Sequence, residues 1–164
     1  MIDSALFKRG MRRLAAGVSL VTTIDGDEPH GLLATSVSSV SADPVPSLLV
    51  CVNRSASAHD RIQKASVFCV NLLGEDEMHL AERFMSADKA SRFAGSCWTV
   101  LETGAPAVEG ALASFDCEVL KAVEVGSHTL FIGAVKVARL WDEEISPLLY
   151  LDGRFEVLRS AAAA

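Results

Sequence analysis

The sequence predicts a mainly β domain, a barrel carrying two or three short helices, and three observations lead there. Strand-length apolar runs cluster along the chain instead of alternating regularly with helices, which favours a barrel over a doubly wound sheet. Turn signals punctuate these runs, above all Asp25-Gly26-Asp27-Glu28-Pro29 and Gly126-Ser127. Composition stays uniform over the 164 residues and no internal repeat occurs, so residues 1–160 read as one domain followed by a short tail, 161–164.

The elements follow in order. Asp3 or Ser4 can cap a first helix that carries Phe7, Met11 and Leu14 on one face and closes at Gly17. Val18–Ile24 is a β-branched strand. After the turn the chain returns through His30–Val40, stops at Ala42-Asp43-Pro44 and re-enters a strand at Ser47–Val52. Ser57 with Asp60 resembles a capping box opening a short helix through Lys64, and Val67–Leu73 is the next strand. Glu75–Ser86 predicts a second full helix with Met78, Ala81, Phe84 and Met85 on one face. A polar stretch, Ala87–Gly95, leads to Trp98–Leu101 and a turn at Thr103–Pro106. Three strands close the chain: Ala113–Val125, His128–Trp141, and Pro147–Val157 broken at Asp152-Gly153.

Composition excludes several functions. The net charge of −6, with no basic stripe, argues against nucleic-acid binding. No apolar run approaches the roughly 20 residues needed to span a bilayer. Lys8, Arg9, Arg12 and Arg13 interrupt the apolar start, unlike a secretory signal. The four cysteines are widely spaced without a C-x-x-C pair, and the histidines lack ligand spacing, so no metal is expected. Buried free thiols at Cys51, Cys69 and Cys117 fit a cytoplasmic protein.

Three segments carry the chemical interest. His30–Ser41 places Thr35, Ser36, Ser38, Ser39 and Ser41 on both faces of one strand. This suits either a solvated edge strand or a surface where a flat heteroaromatic ligand approaches the backbone. Cys51–Asp60 follows a strand directly into a helix start, where free N–H groups, Arg54, Ser55 and Ser57 could meet one phosphate. A solvated loop is the competing reading. Gly126-Ser127-His128 sets a histidine at a hairpin, idle or poised against a ligand. Arg92-Phe93 could stack on a ring or simply anchor a loop, and Tyr150 is either core or ligand lid. A Rossmann G-x-G-x-x-G and a G-x-S-x-G elbow are both absent from the sequence.

Seven ordered landmarks resemble the flavin reductase-like domain family, the reductase components of two-component flavin monooxygenases. They are G-L-L-A-T-S-V-S-S-V-S-A-D-P (31–44), V-C-V-N-R-S-A-S (50–57), F-C-V-N-L-L (68–73), R-F with C-W (92–93, 97–98), A-L-A-S-F-D-C (111–117), G-S-H (126–128) and P-L-L-Y (147–150). The resemblance spans about Phe7 to Leu158. It implies a split β-barrel of the FMN-binding, Greek-key type, assembled as a homodimer with flavin near the subunit interface. Ala34, Thr35, Ser36, Val37, Ser38 and Ser39 would line the isoalloxazine ring. Asn53, Arg54, Ser55 and Ser57 would hold the ribityl chain and phosphate. His128 would orient the nicotinamide as the catalytic histidine, and Phe93 and Tyr150 would touch the ring side. The implied reaction reduces free FMN or FAD with NADH or NADPH, and the reduced flavin diffuses to a flavin-dependent monooxygenase. NADH is favoured, since no basic site for a 2′-phosphate is evident. The rival functions are a flavin-binding electron carrier and a split-barrel oxidase like pyridoxamine-phosphate oxidase.

Overall fold

A computed structural model describes residues 2–86, 88–95, 97–141 and 143–158, so the predicted tail lies outside the described residues. The chain runs through α1 (Ser4–Met11), β1 (Ala16–Gly17), β2 (Ser19–Asp25), β3 (Glu28–Ala34), β4 (Val37–Ser41) and β5 (Ser47–Asn53). Then come α2 (His59–Ala65), β6 (Val67–Leu72), a 3-10 turn (Glu75–Glu77), α3 (Met78–Met85), β7 (Trp98–Val100) and β8 (Pro106–Val108). The last four strands are β9 (Ala113–Val125), β10 (His128–Leu140), β11 (Leu148–Leu151) and β12 (Arg154–Val157).

Seven strands form one antiparallel sheet in the order β3-β2-β6-β9-β10-β5-β4. The sheet coils around an apolar core without closing. Its two edges, β3 and β4, are consecutive in the chain but unpaired with each other, and Leu32 of β3 packs into the same core as Val37 of β4. That gap is the split of the barrel. Val21, Val50, Phe68, Val70 and Phe131 are fully buried inside, each contributing about 1.5–3 kcal/mol of hydrophobic stabilisation. Bulges at Ile132/Gly133 and Val135/Val137 bend β10 and tighten the coil. Gly133 is required at the first: a Cβ there would lie 2.5 Å from Phe68 Cζ and 2.9 Å from Cys117 Cβ.

A second core joins Val18 and Leu20 to Leu80, Ala81 and Phe84 of α3 and to Leu148 of a small β1-β11-β12 sheet. Two buried polar side chains near this core are fully matched. Asn71 donates to Leu20 O and accepts from Val108 N and Ser114 Oγ, while Asp116 accepts from Glu102 N, Thr103 N and Thr103 Oγ1. Such satisfaction is what makes buried polarity tolerable.

Several sequence expectations need correction. Helix α1 is capped by Asp3 as expected but ends at Met11, so Leu14 lies beyond it and Gly17 belongs to β1. None of its residues is buried. His30–Val40 is two strands, because β3 leaves β2 at Ala34 and β4 takes β5 as partner. Ser57 does not cap α2: Ala58 holds that position without a side-chain bond. The second helix begins with a 3-10 turn, and Met85 of its predicted apolar face is 61% exposed. Cys69 and Cys117 are fully buried, whereas Cys51 is only half-buried, and all four thiols are free. Burial pushes the Cys117 thiol up to about 12. No helix among the described residues is long and apolar enough to cross a membrane.

Candidate functional site

Strand pairing brings the three singled-out segments together. His128 opposes Asn53 across β10 and β5, and Arg54 N donates to Ser127 O at 2.9 Å, so the hairpin turn supports the β5–α2 loop. On the other side of β5, Ser36 Oγ donates to Cys51 O at 2.9 Å and Ser38 opposes Leu49. Cross-strand partners share a face of the sheet. Ser36 and Ser38, then Leu49, Cys51 and Asn53, then Leu130 and His128 therefore sit on the face opposite the buried Val50, Val52 and Phe131. The result is a half-buried apolar patch rimmed by hydroxyls, an amide and an imidazole.

Local bonds hold the rim. Asn53 Oδ1 accepts from Ser55 N and Ser55 Oγ, both at 2.9 Å, which fixes the side chain and leaves Nδ2 without a partner among the described residues. His128 Nδ1 lies 2.9 Å from Ser127 Oγ, so Nε2 is the nitrogen left for a ligand. Behind the rim, buried His59 braces α2 against β10: Nδ1 meets Asp60 at 2.7 Å and Nε2 meets Thr129 Oγ1 at 2.8 Å. Ala34 is buried and the half-buried Val37 packs on the core, so only their backbones can meet a ligand. Arg54 lies in an ion pair on the surface. It reaches Glu124 at 3.3 Å, both side chains about half exposed.

Ser39 lines a hollow between β4 and β5 together with Ser38 and Ser41, and the other expected residues occupy two further hollows. Thr35 and Tyr150 line a groove beside α1, with Ser36 at its margin. Ser57 and Phe93 line a cavity of about 380 Å³ between β3 and α2, together with His30, Arg61, Lys89 and Arg92. Phe93 is also part of an aromatic cluster, edge-on to Phe84 at 5.3 Å and tilted to Trp98 at 4.8 Å. No described cavity contains both Phe93 and Tyr150. Sequence reasoning missed Arg61, Lys89 and His30 as site residues, because the three segments that supply the cavity are distant in sequence. The two cations of residues 87–95, Lys89 and Arg92 beside the one acid Asp88, were the available signal.

A family model described as flavin reductase like domain matches residues 11–159. The chain belongs to that family. It is 41% identical over 159 residues to a protein named FMN reductase (NADH) RutF 2 of Methylorubrum extorquens, covering 96% of this chain and 91% of the relative. Among solved structures, the NADH:FAD oxidoreductase SgcE6 of Streptomyces globisporus, in complex with NAD and FAD fragments, superposes with a TM-score of 0.87 at 32% identity. Coverage is 98% of this chain and 96% of that one. BorF, the flavin reductase component of a bacterial two-component tryptophan halogenase, superposes with a TM-score of 0.86 at 33% identity over 96% of this chain and 99% of that one.

Proposed function

We propose that the chain reduces free flavin, FMN or FAD, with NADH and releases the product to a partner monooxygenase. The observation that carries this is the convergence of Ser36, Ser38, Asn53 and His128 around one apolar patch, a shape suited to a flat ring with polar edges. The donor set fits a flavin: hydroxyls and a free amide N–H meet ring carbonyls and nitrogens, and the half-buried patch of Leu49, Cys51 and Leu130 meets the ring plane. Bound flavin supplies the hydride acceptor, so the protein needs no nucleophile or general acid. Its residues instead orient the two rings and exclude water. The Ser36 and Ser38 hydroxyls and the free backbone of edge strand β4 position the flavin. His128, held through Nδ1 by Ser127, offers Nε2 to the nicotinamide carboxamide. Thr35 and Tyr150 wall the adjoining groove.

The same patch is left uncovered in one chain, which supports a homodimer with the ligand at the subunit interface. The four free thiols support a cytoplasmic setting. NADH is the favoured donor on the names of the relatives. NADH oxidation that depends on added FMN or FAD is the expected assay result. Turnover with neither nucleotide would refute the enzyme reading. In the His128→Ala variant the KM for NADH should rise about fivefold to tenfold, the worth of one hydrogen bond, while the flavin Kd changes less. A larger loss in flavin affinity would place His128 in the flavin site.

A further inference from the structure

His128 opens β10, and its neighbour Thr129 faces the other way. A strand turns successive side chains to opposite faces of its sheet. His128 therefore sits at the rim of the ligand face, while the buried Thr129 lies on the core face with Val52 opposite. The Thr129 hydroxyl meets His59 Nε2 at 2.8 Å. His59 is itself buried, its Nδ1 2.7 Å from Asp60 Oδ1 and its ring tilted against Phe131 with centroids 5.6 Å apart. The imidazole is thus fixed at both nitrogens, on the side of the sheet away from the ligand face.

A second tie lies one residue to the other side of His128. Arg54 N donates to Ser127 O at 2.9 Å, and the Arg54 guanidinium reaches Glu124, the residue opposite Thr129 on β9. His128 is held between these anchors, Ser127 to the β5–α2 loop and Thr129 to the first residue of α2. The anchors differ in stiffness. The Arg54–Glu124 pair is about half exposed, and water weakens it. The His59–Thr129 bond is dry, where a hydrogen bond is electrostatically stronger. Helix α2 also starts at Ala58 without a side-chain cap, so His59 ties this end of the loop to the sheet. The loop carries Asn53 and Ser55, and a shift in it or in His128 moves the rim. Rings that exchange hydride must meet at about 3–3.5 Å, so small displacements of an orienting group are felt in turnover.

We propose that His59 is a positioning residue: through Thr129 it holds His128 in the orientation that receives the nicotinamide carboxamide. That role rests on the flavin-reductase reading above and falls to a side chain that touches neither flavin nor nicotinamide. Two half-replacements separate positioning from packing. Gln sets its terminal amide near the Nε2 position and keeps an acceptor for Thr129, whereas Asn reaches only the Nδ1 position, towards Asp60. Both remove the ring from Phe131, so both should lower Tm. His59→Asn should raise the KM for NADH about threefold to fivefold with kcat changed less. His59→Gln should recover most of that loss, to within about twofold of wild type. Because the effect runs through His128, His59→Asn should add nothing to the KM of His128→Ala. The NMR signal of the His128 Cε1–Hε1 pair, assigned by its disappearance in His128→Ala, should shift or broaden in His59→Asn and keep its place in His59→Gln. Equal KM values in the Asn and Gln variants, or an unmoved His128 signal in His59→Asn with Tm lowered, would overturn the proposal and leave His59 a packing residue. Should the His59 variants not fold, Thr129→Val and Thr129→Ser make the same comparison: loss of the hydroxyl should move the His128 signal, and its retention in Ser should not. A signal moved by Val and not by Ser supports the role, and identical spectra overturn it. The same spectra decide the matter in a chain that oxidises NADH with neither flavin, an outcome that refutes only the proposed function.

Discussion

Replacing Thr129 by Val deletes one hydroxyl from a position that is 1% exposed and leaves the side-chain volume nearly unchanged. The hydroxyl lies 2.8 Å from His59 Nε2, and His59 itself is 3% exposed, so no water can take its place. With Asp60 beside Nδ1, the imidazole holds its proton there and Nε2 accepts from Thr129. The substitution therefore strands a buried acceptor, at a cost of about 1–3 kcal/mol. For a domain of this size each kcal/mol lowers Tm by about 2–4 °C, so a drop of about 2–12 °C is expected by scanning calorimetry. Adding His59→Leu removes the stranded nitrogen as well, and Asp60, which is 89% exposed, is then satisfied by water. The double variant should thus be more stable than the sum of the two single losses. An unchanged Tm in Thr129→Val, or strict additivity in the double variant, would refute the bracing role assigned to this pair.

Gly133→Ala should cost about 1–3 kcal/mol by overpacking, because the new methyl meets Phe68 at 2.5 Å and Phe68 has no space to retreat; a denaturant melt at unchanged m-value checks it. Glu77 is buried, and desolvation raises its pKa despite the bond from Gly74 N at 3.0 Å. A carboxyl whose folded pKa is raised contributes stability below its unfolded value that is lost as pH climbs through the folded value. Wild type should therefore lose stability relative to Glu77→Gln as pH rises from about 4 towards neutrality, measured by paired thermal melts.

The barrel strands were legible because their residues obey simple periods. The β9–β10 hairpin matches at both inner ends: Gly126 supplies the positive φ of 57° that the turn needs. Strand β8 was not anticipated, since three residues beginning with Pro106 have no period to read. Ser57 fitted a capping pattern because that pattern is local, whereas the true helix start is fixed by His59 reaching Thr129, 70 residues away. Of the site, the hydroxyl-rich strand, Asn53 and His128 stood out by residue type alone. The cationic cavity did not, because it is assembled from β3, α2 and the 89–93 loop and leaves no linear trace.

The open edge of β4 has one more consequence, for behaviour at high protein concentration. An unpaired strand is a template on which a neighbouring molecule can add its own strand and begin an aggregate. Here the edge is only five residues long, three of them serines, and it is interrupted by a bulge between Ser39 and Ser41. The short, serine-rich and bulged edge that the proposed flavin site uses is also a poor template for a second strand. Substitutions that make the edge more apolar would thus cost solubility.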